Sequence, residues 1–310
     1  MPYDESVPPT PRRRPLLAAV ALAAVCLTAA GCGAEGGGGV PGQRAEPGPG
    51  GDGASAAPTA PATEDARRPE KTPAGTSDAP ADRPASGPLS GKTVVIDPGH
   101  NPDNRLHAGE INRQVDIGTG RKECDTTGTS TDDGYPEARF TLDVSHRVRD
   151  LLRARGAKVV LTHDGDRPYG PCVDERARIG NDAKADAVVS VHADGSAVGN
   201  RGFHVILPGP VRAGRADTSK IVEPSRELGA RIAGLFLRDT GSAPSNYIGG
   251  HTGLDVRKDL GGLNLSTVPK VFIECGNMRD PKDAALLTSA SWRQKAAQGI
   301  ADGISGYLEG

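Results

Sequence analysis

The chain has 310 residues, 37 Lys and Arg against 39 Asp and Glu, a formal net charge of −2 and only 3% aromatic residues. That length allows one or two domains, and the near-neutral balance gives no sign of a nucleic-acid-binding surface. Neither an internal repeat nor a second binding module is visible in the sequence.

The front of the chain is not built to fold. Arg12, Arg13 and Arg14 precede an apolar run from Leu16 to Ala30, with Gly31 and Cys32 behind it. These are the charged and apolar regions of an export signal, and the run is too short for a comfortable transmembrane span. Ala29-Ala30-Gly31-Cys32 resembles a bacterial lipobox, departing from it at Ala29, where Leu is usual. The resemblance implies a lipidated Cys32 as the new N-terminus, anchored at the outer face of the cell membrane; ordinary cleavage with Cys32 as a passenger is the alternative. Residues 33–88 are Gly, Pro, Ala, Ser, Thr and charge, with almost no large apolar side chain. Such a segment cannot bury enough surface to offset its ordering entropy, which predicts a disordered tether. The expected organisation is a signal with lipobox at 1–32, a linker at 33–88 and one folded domain at 89–310.

Within the domain, Thr93-Val94-Val95-Ile96-Asp97 reads as a buried strand, broken by Pro98 and Gly99, with His100 just beyond it. Residues 101–135 form a long polar stretch without periodicity, and loops of that length are usually functional or disordered. Pro136 then marks a helix start; Phe140, Val144, Val148 and Leu151 make one helical stripe that Gly156 closes. A strand over Ala157–Thr162, a helix over Val173–Lys184 and a strand from Ala187 running into His192 follow. Gly202–Leu207 reads as a further strand, Pro224–Asp239 as an amphipathic helix and Gly241–Leu265 as irregular. Val268–Ile273 is a strand running into Glu274, and Trp292–Leu308 closes the chain as a helix with Ala296, Ile300, Ile304 and Leu308 at intervals of four. Strands alternating with helices predict an α/β domain with a mostly parallel sheet.

Three strands thus end on groups with chemistry: His100, His192 and Glu274. Open α/β sheets bind ligands at such ends. Two imidazoles and a carboxylate suit zinc, with a fourth position open for water. The chosen set is His100, Glu137 and His192, with one zinc per chain. Glu274, left unligated, would face the water and carry its proton to a leaving amine. Spacing alone carries this set weakly, because ligands so far apart have no local signature. A first-turn Glu137 also complements a helix dipole, and Glu110, Asp116, Glu123 and Asp125 compete for its position. Asp97 reads either as a turn cap or as a group orienting a ligand imidazole. His107, His146, His163, His204 and His251 are not chosen: His146 inside a helix and His163 at a strand end read as surface or satisfied-core histidines, His204 sits within a strand, and His251 could touch substrate from the loop before Glu274.

Val94-Val95-Ile96-Asp97-Pro98-Gly99-His100, then Glu137 opening a helix, then Ser190-Val191-His192-Ala193-Asp194, then Glu274-Cys275-Gly276-Asn277, resembles the zinc-dependent N-acetylmuramoyl-L-alanine amidases of the Amidase_3 type. Arg176 and Asn181 are similar to an arginine and an asparagine that this family carries before its second histidine. The resemblance covers residues 89–310 and implies a six-stranded, twisted, mostly parallel sheet flanked by helices. It implies hydrolysis of the amide between N-acetylmuramic acid and the first L-alanine of the peptidoglycan stem. It matches His100, Glu137 and His192 to the zinc ligands and Glu274 to the catalytic glutamate. The chain departs from the pattern at Asn101-Pro102, where Gly is frequent, and at Cys275-Gly276-Asn277-Met278-Arg279, which bears on the shape of the groove.

Two alternatives remain at this stage: a zinc peptidase cutting within the stem, and a wall-tethered zinc-binding module without turnover. Cys124 and Cys172 lie in polar loops of an exported chain and are expected to form a disulfide, whereas Cys275 reads as a buried free thiol. The expected partners are peptidoglycan and, through Cys32, a membrane; the chain is expected to be a monomer.

Overall fold

Val94, Val95 and Ile96 are β-branched and fully buried, the pattern of a strand covered on both faces. They form β1 (Thr93–Pro98), the start of the domain in a computed structural model that describes residues 86–310. The expected signal, the lipobox at Cys32 and nearly all of the linker lie outside the described residues.

The polar stretch after β1 contains the short helix α1 (Ala108–Ile111) and a hairpin of β2 (Gln114–Asp116) and β3 (Arg121–Glu123). Helix α2 (Glu137–Ala154) has Pro136 as its N-cap, and is followed by β4 (Lys158–Leu161), α3 (Val173–Asp182) and β5 (Ala187–Asp194). Strand β6 (His204–Pro208) leads into the two-residue strands β7 (Arg212–Ala213) and β8 (Ala216–Asp217), then α4 (Val222–Thr240). Next come β9 (Leu254–Arg257), α5 (Gly261–Asn264), β10 (Lys270–Asn277), α6 (Pro281–Leu287) and α7 (Ala290–Leu308).

Six strands form one sheet in the order β4-β1-β5-β10-β6-β9. All neighbours are parallel except β10 and β6, so the expected mostly parallel α/β sheet is observed. One face is covered by the main core, where Val94, Ile96, Val189, Val191, Val271 and Ile273 pack with residues of α2, α4 and α7. The opposite face carries Val95 and Val188 against Ile179 of α3. Because side chains alternate along a strand, Asp97, Ser190, His192, Lys270, Phe272 and Glu274 belong to this second face. Cys275 is on the core face, as expected from alternation, and is a free, buried thiol.

The sequence reading differs from the structure at several elements, the α1 helix and β2–β3 hairpin within the stretch 101–135 among them. Strands β5 and β10 run on to Asp194 and Asn277, so His192 and Glu274 sit inside strands and not past their ends. The stretch read as irregular holds β9, a four-residue edge strand whose Asp255 and Arg257 interrupt any apolar run. Helix α6 was also not anticipated, although Asp280 caps it by accepting from the N–H groups of Lys282 and Asp283, with Pro281 in its first turn.

Cys124 and Cys172 form the expected disulfide, across a sequence separation of 48. It joins the end of the hairpin to the start of α3 and packs with Val115 and Ile117 in a small separate core. Closing a loop of that length stabilises a fold by about 4 kcal/mol in the chain-entropy model.

Candidate active site

His100 follows β1 with a φ of 61°, a left-handed conformation that is uncommon outside glycine. Backbone strain of this kind costs on the order of 1–3 kcal/mol and persists only where neighbours hold it. Here the His100 Nδ1–H donates to the Thr126 carbonyl at 3.0 Å, which turns Nε2 toward Glu137. The Nε2 atom lies 3.2 Å from Glu137 Oε2, and Glu137 Oε1 lies 3.0 Å from His192 Nδ1. The three residues expected from the sequence therefore converge, with one ligand atom from each within 4.8 Å of the others.

Each is set by its element. Glu137 is the first residue of α2, and its carboxylate accepts from the backbone N–H groups of Thr129 at 2.9 Å and Ala193 at 3.2 Å. His192 stacks on Phe272 of the adjacent strand, with ring centroids 5.2 Å apart. Two glycines leave room for this approach. A Cβ on Gly99 would overlap the His192 imidazole, and one on Gly128 would lie 2.7 Å from both Glu137 Oε2 and His100 Cδ2. Overpacking of this kind costs about 1–3 kcal/mol, which corresponds to roughly 5- to 150-fold in affinity. Gly99→Ala is accordingly expected to weaken metal binding by that range; a competition titration against a chromophoric chelator checks it, and unchanged affinity would refute the steric account.

The electrostatics favour a cation between these donors. Burial alone would raise the Glu137 carboxyl, but His100 and His192 hold it well below the usual carboxylate range. Burial alone would lower His100, yet Glu137 and Asp125 raise it well above its ordinary value. Positive charge is thus drawn into the trio. One carboxylate oxygen of Glu137 faces a nitrogen of His100 and the other a nitrogen of His192, a donor set that can hold a metal ion.

Glu274 stands beside His192 in the β5–β10 register and beside His204 in the β10–β6 register. It shares a cavity of about 300 Å³ with His100, Glu137 and His192. Its Oε2 is buried and makes no hydrogen bond among the described residues. Burial raises its carboxyl well above the ordinary range, and the charges of Glu137 and Asp194 push the same way.

Residues 94–306 match the family model described as N-acetylmuramoyl-L-alanine amidase, Amidase_3. The chain belongs to this amidase family. Among its relatives, N-acetylmuramoyl-L-alanine amidase Rv3717 of Mycobacterium tuberculosis is 43% identical over 223 residues, covering 70% of this chain and 87% of the relative. AmiA of Escherichia coli, an N-acetylmuramoyl-L-alanine amidase, is 28% identical over 245 residues, covering 70% and 76%. Among solved structures, the N-acetylmuramyl-L-alanine amidase Ami1 from Mycobacterium smegmatis matches with a TM-score of 0.65 at 42% identity, over 72% of this chain and 99% of that one. The activity of the chain is that of an N-acetylmuramoyl-L-alanine amidase; its substrate is peptidoglycan and its setting extracytoplasmic.

The competing carboxylates of the amidase fall elsewhere. Glu110 pairs with His107, Asp116 and Glu123 lie on the hairpin, and Asp125 pairs with Arg176 beside the outer nitrogen of His100. His146 pairs with Asp164 at the surface and His163 is buried against the Pro98 carbonyl. Sequence reasoning missed Gly128, whose need for a positive φ of 73° beside the trio follows only from the path of the loop. It also missed Tyr247, which donates to Asp194 at 2.6 Å next to Glu274, and Arg257, a cationic side chain lining the same cavity. Both come from the stretch read as irregular.

Proposed function

We propose that the amidase holds one zinc ion through His100, Glu137 and His192, and that Glu274 serves as general base and then general acid. A single observation carries the reading: a buried, unpaired carboxyl lies in the same cavity as a closed His–Glu–His donor set. Two neutral imidazoles and one carboxylate are a usual zinc donor set that leaves a position open. When bound there, zinc supplies Lewis-acid polarisation of the scissile carbonyl and lowers the pKa of water.

The remaining work falls to side chains of the chain. Glu274 in its ionised form removes a proton from the attacking water as the new carbon–oxygen bond forms at the lactyl carbonyl of N-acetylmuramic acid. The carbon–nitrogen bond then breaks, and Glu274 returns that proton to the departing amine of L-alanine, so no net proton is held. Its raised affinity for protons suits both halves, because a carboxylate pushed upward by burial holds the proton of water more readily than an ordinary one and can still pass it to an amine. Glu137, fixed by the N–H groups of Thr129 and Ala193, contributes charge to the donor set without being free to take part in proton transfer.

The leader pattern supports a lipid anchor at Cys32 and the composition of 33–88 a tether, from which the catalytic domain at 89–310 would work at the extracytoplasmic face of the cell membrane or in the wall. Incubating the mature chain with purified muropeptides is expected to release stem peptides beginning with L-alanine. Cuts inside the stem would replace the amidase reading by a peptidase. The N-terminal peptide of the same preparation reports by mass whether Cys32 carries lipid, and an unmodified Cys32 removes the anchor.

A further inference from the structure

Arg176, near the start of α3, is buried, and all five of its guanidinium N–H groups have acceptors. Its Nε donates to the Pro171 carbonyl at 2.8 Å. Its Nη1 donates to Asp97 Oδ1 at 2.8 Å and to the Pro98 carbonyl at 2.6 Å. Its Nη2 donates to Asp125 Oδ2 at 2.9 Å and to the His100 carbonyl at 3.2 Å. The planar fork is thus wedged between two carboxylates, each of which leads to a different histidine of the trio.

The first arm runs through Asp97. The Ser190 hydroxyl donates to Asp97 Oδ2 at 2.9 Å, and Ser190 Oγ lies 3.2 Å from His192 Nε2. Asp97 faces both Arg176 and the buried Lys270, whose Nζ is 3.1 Å from Oδ2, so it stays an ionised acceptor despite its burial. Ser190 has one hydroxyl proton and gives it to Asp97; toward His192 it can only accept. The Nε2 atom of His192 must then carry the proton, and Nδ1 is left with its lone pair toward Glu137. The second arm runs through Asp125, whose Oδ1 lies 3.6 Å from His100 Nδ1 and whose neighbour Thr126 accepts from that nitrogen. Together with the bond to the His100 carbonyl, this arm holds His100 in its left-handed backbone conformation.

We infer that Arg176 is a positioning residue for the metal centre, joining Asp97–Ser190 and Asp125–Thr126 into one frame that sets the tautomer of His192 and the orientation of His100. The inference rests on the reading of His100, Glu137 and His192 as ligands. Lysine cannot replace this arginine, because an ammonium offers three donors and no fixed plane. The frame also accounts for two buried cations and two buried carboxylates under a site whose chemistry uses none of them directly.

Ser190→Ala removes only the last link of the first arm and leaves the Arg176–Asp97–Lys270 cluster intact. Outer partners of ligand histidines typically contribute 10- to 100-fold in metal affinity, and a loss of that size is expected for Ser190→Ala and for Arg176→Lys. Thr162→Val is the control: Thr162 donates to the same Asp97 carboxylate at 2.7 Å but does not join it to the Asp125 arm and leaves the Ser190 link in place, so zinc affinity should stay within about threefold. Zinc dissociation constants of the full chain are read by chelator competition. In the zinc-loaded protein, the His192 imidazole N–H proton is followed by NMR; it should exchange slowly with solvent in wild type and faster in Ser190→Ala. Wild-type affinity and unchanged exchange in Ser190→Ala overturn the inference, as does an equal loss in Thr162→Val. Failure of wild type to bind zinc at all overturns the ligand reading itself, a separate result.

Discussion

Glu274→Gln is expected to lower kcat by about 10²- to 10⁴-fold while zinc stays bound, the range that a positioned general acid–base group contributes. The substitution keeps the shape of a side chain that is enclosed between β5 and β6 and removes only its ability to accept and return a proton. Glutamine carries no charge, so the repulsion from Glu137 and Asp194 that raises the native carboxyl disappears with it. The metal-free variant is therefore expected to melt no lower than the metal-free wild type. Product release from muropeptides, elemental analysis for zinc and a thermal melt form one set of measurements. Turnover within tenfold of wild type would remove Glu274 from the proton path, whereas loss of zinc would make it a ligand and not a base.

Removing the metal is expected to abolish release of stem peptides and to lower the melting temperature, with both restored by added zinc. Without an ion, Glu137 and the two histidines offer nothing to polarise a carbonyl. An ion that binds only the folded chain stabilises it by about 4 kcal/mol at a thousandfold excess over its dissociation constant, worth on the order of 10 °C for a domain of this size. Magnesium is expected not to substitute, because it prefers octahedral oxygen ligands. His192→Ala should abolish both responses to zinc. Full activity in a sample free of metal by elemental analysis would end the metal-dependent mechanism.

Much of the sheet was legible because its strands are buried on both faces. Val94-Val95-Ile96 and Val188-Val189 are continuous apolar runs that no surface element would carry. Helices α2, α4 and α7 were legible from apolar residues at helical intervals, and most of each expected stripe is buried, although Leu152 and Phe236 are buried where Leu151 and Leu235 were expected. Strand β9 was not, because an edge strand of four residues needs only intermittent burial and tolerates Asp255 and Arg257. The hairpin was hidden for a related reason: its stability comes from the Cys124–Cys172 disulfide and a small core around Val115 and Ile117, not from long strands.

His100, His192 and Glu274 were visible as a set because each follows a strong strand signal, and strand alternation sets His192 and Glu274 on one face. The sequence by itself therefore determined the α/β class, the strands that carry the chemistry and the reaction family through its four motif blocks. Which carboxylate would complete the donor set was decided only by tertiary structure. Glu137 and Asp125 are both acidic residues near the same loop, and only the path of that loop past Gly128 brings Glu137 between the histidines while turning Asp125 to Arg176. The same holds for the frame beneath the site: Asp97, Arg176, Ser190 and Lys270 come from four separate elements, and no local periodicity couples them. Side-chain period reports which face a residue occupies, but the distance between faces of different elements is set by packing across the whole sheet.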